Sequence, residues 1–215
     1  MAVMYFATIE QSGSKCMSIW AGDSRCFSLD ADEGLRQLTW DDLKSRGDAF
    51  DNLNEDSPLS NYLNADSNFE LHYQIVPFER PGIFIAATDG CFGYVRTPMH
   101  FEYLLLETMN RATDFDGWKQ HLAGELSRIA GDDVSMVVAV VGWPNYQMVK
   151  ADFATRRSHL LSEYIMKLDK FDSQIDQMTI DLANARRNRE ELRTRLWSQY
   201  KAAYEALMTQ SKPPQ

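Results

Sequence analysis

Pro81-Gly82-Ile83-Phe84-Ile85-Ala86-Ala87-Thr88-Asp89-Gly90 decides the fold. An apolar run between a Pro-Gly break and an Asp-Gly turn predicts a central strand buried on both faces. Downstream, the run from Val134 to Val141 is equally apolar and is closed by Gly142-Trp143-Pro144, which predicts a second such strand. Two helices fit between them. Thr97-Pro98 is an N-cap and N1 pair ahead of Phe101, Leu104, Leu105 and Thr108 on one face. Trp118, Leu122, Leu126 and Ile129 then recur at helical spacing up to Gly131, which suits a C′ position. Upstream, residues 15–21 and 26–29 read as strands joined by Gly22-Asp23-Ser24-Arg25, with a turn at 30–34 and a further extended stretch at 35–39. Residues 40–66 turn polar and read as a loop with a short helix, and strand-like alternation returns at 71–76. Strands and helices segregate instead of alternating, so the class is α+β with antiparallel sheet.

Composition bounds the function. The 215 residues carry a net charge of −9, with no stripe of Lys or Arg interleaved with aromatics on the globular part, which argues against a phosphate backbone as partner. Cys16, Cys26 and Cys91 are an odd set without CxxC spacing, so neither a disulfide framework nor a zinc site is indicated, and a reducing cytoplasm is expected. No export signal and no run of about 18 apolar residues is present, so no membrane span is expected. A phosphate-binding glycine loop is also excluded, because Gly90-Cys91-Phe92-Gly93 lacks both the length and the Lys. No Ser is paired with a base as a nucleophile would require.

Three turns place a carboxylate where a strand meets a loop: Gly22-Asp23-Ser24-Arg25, Thr88-Asp89-Gly90 and Gly131-Asp132-Asp133. If the strands at 83–87 and 134–141 lie antiparallel and adjacent, Asp89 and Asp132 or Asp133 share one sheet edge, and Asp23 can join them. Clustered carboxylates repel in a partly dry site and call for cations or shared protons. The competing reading is that each Asp only closes its own turn through an Asx-type hydrogen bond. Spacing by itself leaves both open.

The order of these segments resembles a known family. Ile19-Trp20-Ala21-Gly22-Asp23-Ser24-Arg25, then Leu38-Thr39, then Pro81-Gly82 ahead of Ile85-Ala86-Ala87-Thr88-Asp89-Gly90, then Gly131-Asp132-Asp133-Val134-Ser135 look like successive signatures of metal-dependent Ser/Thr protein phosphatases of type 2C, over residues 5–141. The resemblance implies an antiparallel β-sandwich flanked by helices, with two Mn2+ or Mg2+ ions at one edge. It maps metal ligands onto Asp89 and Asp132, and a ligand of a third, weaker ion onto Asp23. It implies no catalytic residue beyond these ligands, and a phosphoprotein as substrate. All-oxygen ligation suits such ions.

This chain departs from the family pattern at several points. The Asp-Gly-His-Gly segment, with its bridging ligand and its His, would stand tens of residues ahead of Gly22, as would an Arg that grips phosphate; only 21 residues precede Gly22. The expectation is that one sheet lacks partners there. His72, His100, His121 and His159 have no matching context and read as surface or core histidines. Asp133 stands where Asn is usual, Asp41-Asp42 where Asp-His is frequent, and Gly93 where a further Asp is frequent.

Beyond residue 145 the character changes. Leu161, Tyr164, Leu168, Phe171, Ile175, Met178, Leu182 and Ala185 alternate steps of three and four, and the frame continues through Arg189, Leu192, Leu196 and Ala203. This heptad seam predicts a long helix over 150–212, following a phosphatase-like domain over 1–145. A homodimer or a partner chain is expected through residues 160–207, against the alternative of a helix folding back on the domain. Two functions remain open: hydrolysis of phosphoserine or phosphothreonine in proteins by metal-activated water, or a catalytically incomplete phosphatase-like module that scaffolds a complex through its coiled coil.

Overall fold

A strand that is apolar on both faces needs a layer on each side, and this chain supplies two. The computed structural model describes residues 1–9, 13–43, 58–65, 68–78 and 81–209. Its strands are β1 (Ala2–Ile9), β2 (Gly13–Trp20), β3 (Arg25–Asp30), β4 (Gly34–Gln37), β5 (His72–Phe78), β6 (Gly82–Ala87) and β7 (Met136–Val141). They form two antiparallel sheets, one ordered β1-β2-β5 and the other β4-β3-β6-β7. Between the sheets lie Cys16, Cys26, Leu38 and Phe84, joined by Phe6 and Phe78. Phe84 meets the rings of Phe6 and Phe78 edge-on at 5.1 and 5.0 Å, an arrangement that suits the aromatic quadrupole.

The other face of the four-stranded sheet carries Phe27, Leu29, Ile83 and Ile85 into a second core with helices α1 (Pro98–Arg111) and α2 (Phe115–Ile129). β6 divides its apolar run between the two layers, which is why it shows no polar alternation. Helix α1 begins as expected, with Thr97 capping the backbone N–H of His100 and Pro98 at the first turn. Helix α2 ends at Ile129, but Gly131 is not left-handed; its missing side chain leaves room for the ring of Tyr94, 2.6 Å from where a Cβ would sit. The expected strand at 134–141 starts at Met136, because Ser135 spends its N–H and C=O on Thr88.

The structure divides into two compact units, Met1–Ile165 and Met166–Gln215. The first runs past residue 145 through α3 (Tyr146–Asp152) and α4 (Ala154–Leu160), since Tyr146, Val149, Phe153 and Leu160 are buried in the helix-side core. Arg156 grips buried Glu102 at 2.7 and 3.1 Å, and Arg157 reaches Glu107 at 2.6 Å, tying α4 to α1. Over the described part of the expected 150–212 helix, residues 150–209, the helix is interrupted at Phe153 and by a π-turn at Leu161–Ile165; residues 210–212 lie outside the described residues. The second unit is a single helix, α5 (Met166–Thr209). No helix among the described residues is long and apolar enough to cross a membrane. Of the loop expected over 40–66, residues 44–57 and 66 lie outside the described residues, and Leu43 and Leu59 form an isolated antiparallel bridge.

The outer face of the three-stranded sheet is apolar and open. Val3, Ile19 and Tyr73 form one row and Tyr5, Met17 and Ile75 the next, with Val3, Tyr5, Tyr73 and Ile75 exposed. Burial raises the pKa of the thiols of Cys16 and Cys26 to about 11 and pushes that of Cys91 up as well. At pH 8 a disulfide-exchange reagent should modify none of these thiols in the folded protein and all three after unfolding in guanidinium. Rapid native-state modification of Cys16 or Cys26 would show the sandwich core to be open.

Candidate functional site

Strand register brings the acidic turns to one end of the four-stranded sheet. Arg25 on β3 stands opposite Ala87 on β6, and Ala87 opposite Met136 on β7. Asp23 therefore lies just before that end, Asp89 just after it, and Asp132 on the loop leading into it. β6 and β7 are adjacent and antiparallel, as the shared-edge argument required.

The Asp23 turn is held from outside the sheet. Gly22 adopts φ +94°, open to glycine at little cost. Its N–H donates to Asp42 Oδ2 at 3.0 Å, and its carbonyl accepts the N–H of Asp42 at 3.1 Å. The same buried carboxylate takes the Asn61 amide at 2.6 Å and pairs with His72 Nε2 at 2.8 Å. His72 in turn packs beside Trp20 and Trp40, with ring centroids 5.4 and 5.3 Å away. Asp42 is thus a clamp on the turn, and His72 is a partly buried structural histidine.

Arg25 is the second fixture. Its guanidinium donates to both oxygens of Asp41, at 2.8 and 2.5 Å, with both side chains almost wholly buried. It also lies over the ring of Phe92, 4.3 Å from the guanidinium carbon, a cation–π contact with the segment that follows Asp89. One side chain thereby links the loop after β4 to the turn after β6.

The Asp89 turn is sewn to the start of β7. Thr88 donates its N–H to Ser135 O at 3.0 Å, its hydroxyl accepts the N–H of Ser135 at 3.0 Å, and that hydroxyl also reaches Asp133 O at 3.2 Å. Gly90 lies so close that a Cβ there would stand 2.4 Å from Asp133 O and 3.2 Å from Asp132 O. The requirement for glycine at Gly90 is close backbone approach.

The carboxylates differ in situation. Asp23 and Asp89 are half-buried, while Asp132 and Asp133 are exposed. The Asp23 carboxyl is held above its ordinary value by burial first and by the negative charge of Asp89 next, with Asp41 adding to it. Asp132 accepts the N–H of Asp133 on its own Oδ1 at 2.7 Å, a contact with the next residue and not the two-residue closure of an Asx turn. Among the described residues no three His, Cys, Asp or Glu side chains form a ready metal-holding group. The donors fit a hard, oxygen-preferring cation in kind, as an electrostatically coupled pair and not as a finished cage.

Asp41 and Asp42 are the residues that sequence reading missed as supports of this site. The signal was Arg25 itself: an arginine opening a strand that continues Cys26-Phe27 needs a carboxylate once buried, but Asp23, Asp30, Asp32 and Glu33 all stand nearer in the chain than Asp41, so chain order did not single out the partner.

No protein-family model matches this sequence, and no curated protein matches it significantly. Solved structures do. A sex-determining protein of C. elegans aligns with a TM-score of 0.52 at 18% identity, over 65% of this chain and 39% of that one. PppA, a regulatory component of the type VI secretion system in Pseudomonas aeruginosa, aligns with a TM-score of 0.44 at 19% identity, over 59% and 53%. The serine/threonine phosphatase PstP/Ppp of Mycobacterium tuberculosis aligns with a TM-score of 0.44 at 18% identity, over 59% and 54%. This chain thus spans about half or less of the length of those it matches. The likeness is one of fold alone, an α+β arrangement with antiparallel sheets, and it is carried by the alignment with the C. elegans protein over 65% of this chain.

Two measurements test the site's construction. Asp41→Ala should cost about 3 to 5 kcal/mol in urea unfolding, because it strands a buried guanidinium, and Arg25→Ala combined with it should cost far less than the sum. Additive losses would mean that the pair does not interact. For Asp23 the raised folded pKa means that its ionised form opposes folding, a penalty relieved as pH falls through the folded value toward the ordinary value of 3.8. In metal-free buffer Asp23→Asn should raise the melting midpoint at pH 7, and this gain should shrink as pH approaches 4. A lower midpoint at pH 7 would contradict the crowding of Asp23 by Asp89.

Proposed function

We propose that the Met1–Ile165 unit hydrolyses phosphoserine or phosphothreonine in proteins with the help of Mn2+ or Mg2+. The observation that carries the reading is the half-buried Asp23 coupled to Asp89 at the end of the four-stranded sheet. Two carboxylates crowded there raise the free energy of the empty site and favour a divalent cation, which would relieve their repulsion. Asp89 and Asp132 would hold the principal ions and Asp23 a weaker third. The chemistry such ions supply is activation of water for in-line attack on phosphorus and neutralisation of the phosphoryl oxygens.

The chain's own groups do the positioning. Asp42 sets the Gly22-Asp23 turn through both backbone groups of Gly22. Thr88 sets the Asp89 turn against Asp133 and Ser135. Asp132 would join them by giving up the N–H of Asp133.

A second reading draws on that last contact and on the lack of a ready three-ligand group among the described residues: a phosphatase-like module that binds a phosphoprotein without cleaving it. Phosphate release from a phosphothreonine peptide with millimolar Mn2+, run beside depletion of free Mn2+ measured by electron paramagnetic resonance, separates the two. The hydrolase reading expects Mn2+-dependent release that falls at least about 100-fold in Asp89→Asn, more than an outer-shell change costs, together with weaker Mn2+ uptake. An inert parent that still takes up Mn2+ through Asp89 would favour the binding module. No uptake at all would sink both.

A further inference from the structure

Helix α5 has a seam that nothing among the described residues of its own unit buries. Every described side chain from residue 166 to 206 is exposed except half-buried Asp172 and Glu190. Phe171, Ile175, Met178 and Leu182 stand 63, 59, 69 and 52% exposed on one stripe, and Leu192 and Leu196 continue it at 43 and 52%. A helix of 44 residues, about 66 Å long at 1.5 Å per residue, does not hold such a row in water without a partner. The alternation of three and four is the 3.5-residue period of a two-stranded supercoil.

The flanking charges say which partner. With Leu168, Ile175, Leu182, Arg189 and Leu196 at a positions, Phe171, Met178, Ala185 and Leu192 fall at d. Lys167 and Asp181 are then g residues, and Asp172 and Arg186 the e residues five positions on. In a parallel pair of identical, in-register helices each g side chain faces the e side chain of the following heptad on the other helix. Lys167 therefore meets Asp172 of the second copy, and Asp181 meets its Arg186: opposite charges at both steps, on both flanks. An antiparallel pair overlapping along the whole helix, centred between Ala185 and Arg189, sets Asp181 against Arg195 on one flank but Arg186 against Arg186 on the other, so only the parallel pair satisfies Arg186. The one charge in the seam, Arg189, is bonded at 3.0 Å to its neighbour Glu190, which draws it toward the outer face.

We propose that α5 pairs with α5 of a second copy of this chain as a parallel, in-register coiled coil, with Asp181 and Arg186 as the pairing that selects the orientation. The surface is independent of the hydrolase reading, since it contains none of the residues of the acidic turns.

Sedimentation equilibrium of the full chain tests it. The expected mass is twice the 24.7 kDa of one chain. Asp181→Lys and Arg186→Glu should each raise the dimer Kd about tenfold, and the two together should return it to within about threefold of the parent. Arg189→Leu should tighten it. A spin label on Lys201→Cys should give a distance below about 30 Å for parallel helices about 10 Å apart, against about 40 Å for antiparallel ones overlapping along their whole length. A monomer at 100 µM, a long distance, or a double variant as weak as the singles would overturn the proposal.

Discussion

A positive charge sealed inside the fold, that of Arg25, organises the end of the four-stranded sheet where the acidic turns gather. A guanidinium almost wholly removed from water is tolerated only with a carboxylate in bidentate contact, and Asp41 provides it. That demand pulls the chain after β4 back across the end of the sandwich. Once Asp41 is in place, its neighbour Asp42 lies where it can take hydrogen bonds from Gly22, Asn61 and His72 together. The Asp23 turn therefore inherits its geometry from a pair that does not touch the proposed chemistry. The stacking of the same guanidinium on Phe92 carries the constraint on to the segment after Asp89.

Stability and chemistry pull in opposite directions at this end. Burial and the charge of Asp89 make ionised Asp23 unfavourable in the folded state. The surroundings offset this with backbone contacts: Thr88 fastens β6 to the start of β7, and Gly90 lets the two loops approach to a distance that no side chain would allow. The carboxylates are set on rigid strand ends, so their repulsion is not relieved by drift of the loops. Stored strain of this kind is what a cation would discharge.

Local signals in the sequence were legible where their cause is local. The apolar runs of β6 and β7 and the Thr97-Pro98 cap are decided within a few residues, and the structure has them. β1 was not readable because Val3 and Tyr5 are apolar on the outward face as well, which removes the alternation that marks a half-buried strand. The split of the long helix was missed for the opposite reason. Val149, Phe153 and Leu160 keep helical spacing while serving a core whose other members are distant in sequence, and tertiary burial overrode the continuous heptad frame. For the site, the sharing of one sheet end by the three acidic turns followed from strand order, whereas the roles of Asp41 and Asp42 depended on where a polar loop returns, which no periodicity encodes.

The open face of the β1-β2-β5 sheet has a consequence for behaviour in solution. Val3, Tyr5, Tyr73 and Ile75 stand 48, 62, 69 and 53% exposed in adjoining rows, a hydrated hydrocarbon surface whose cost rises with any excluded, water-ordering solute. Ammonium sulfate should therefore lower the solubility of this protein steeply, whereas sodium chloride weakens only the contacts made by charges. The two salts act on different parts of the same molecule, and the slope of solubility against sulfate concentration is a direct measure of how much oily β-surface the fold leaves wet.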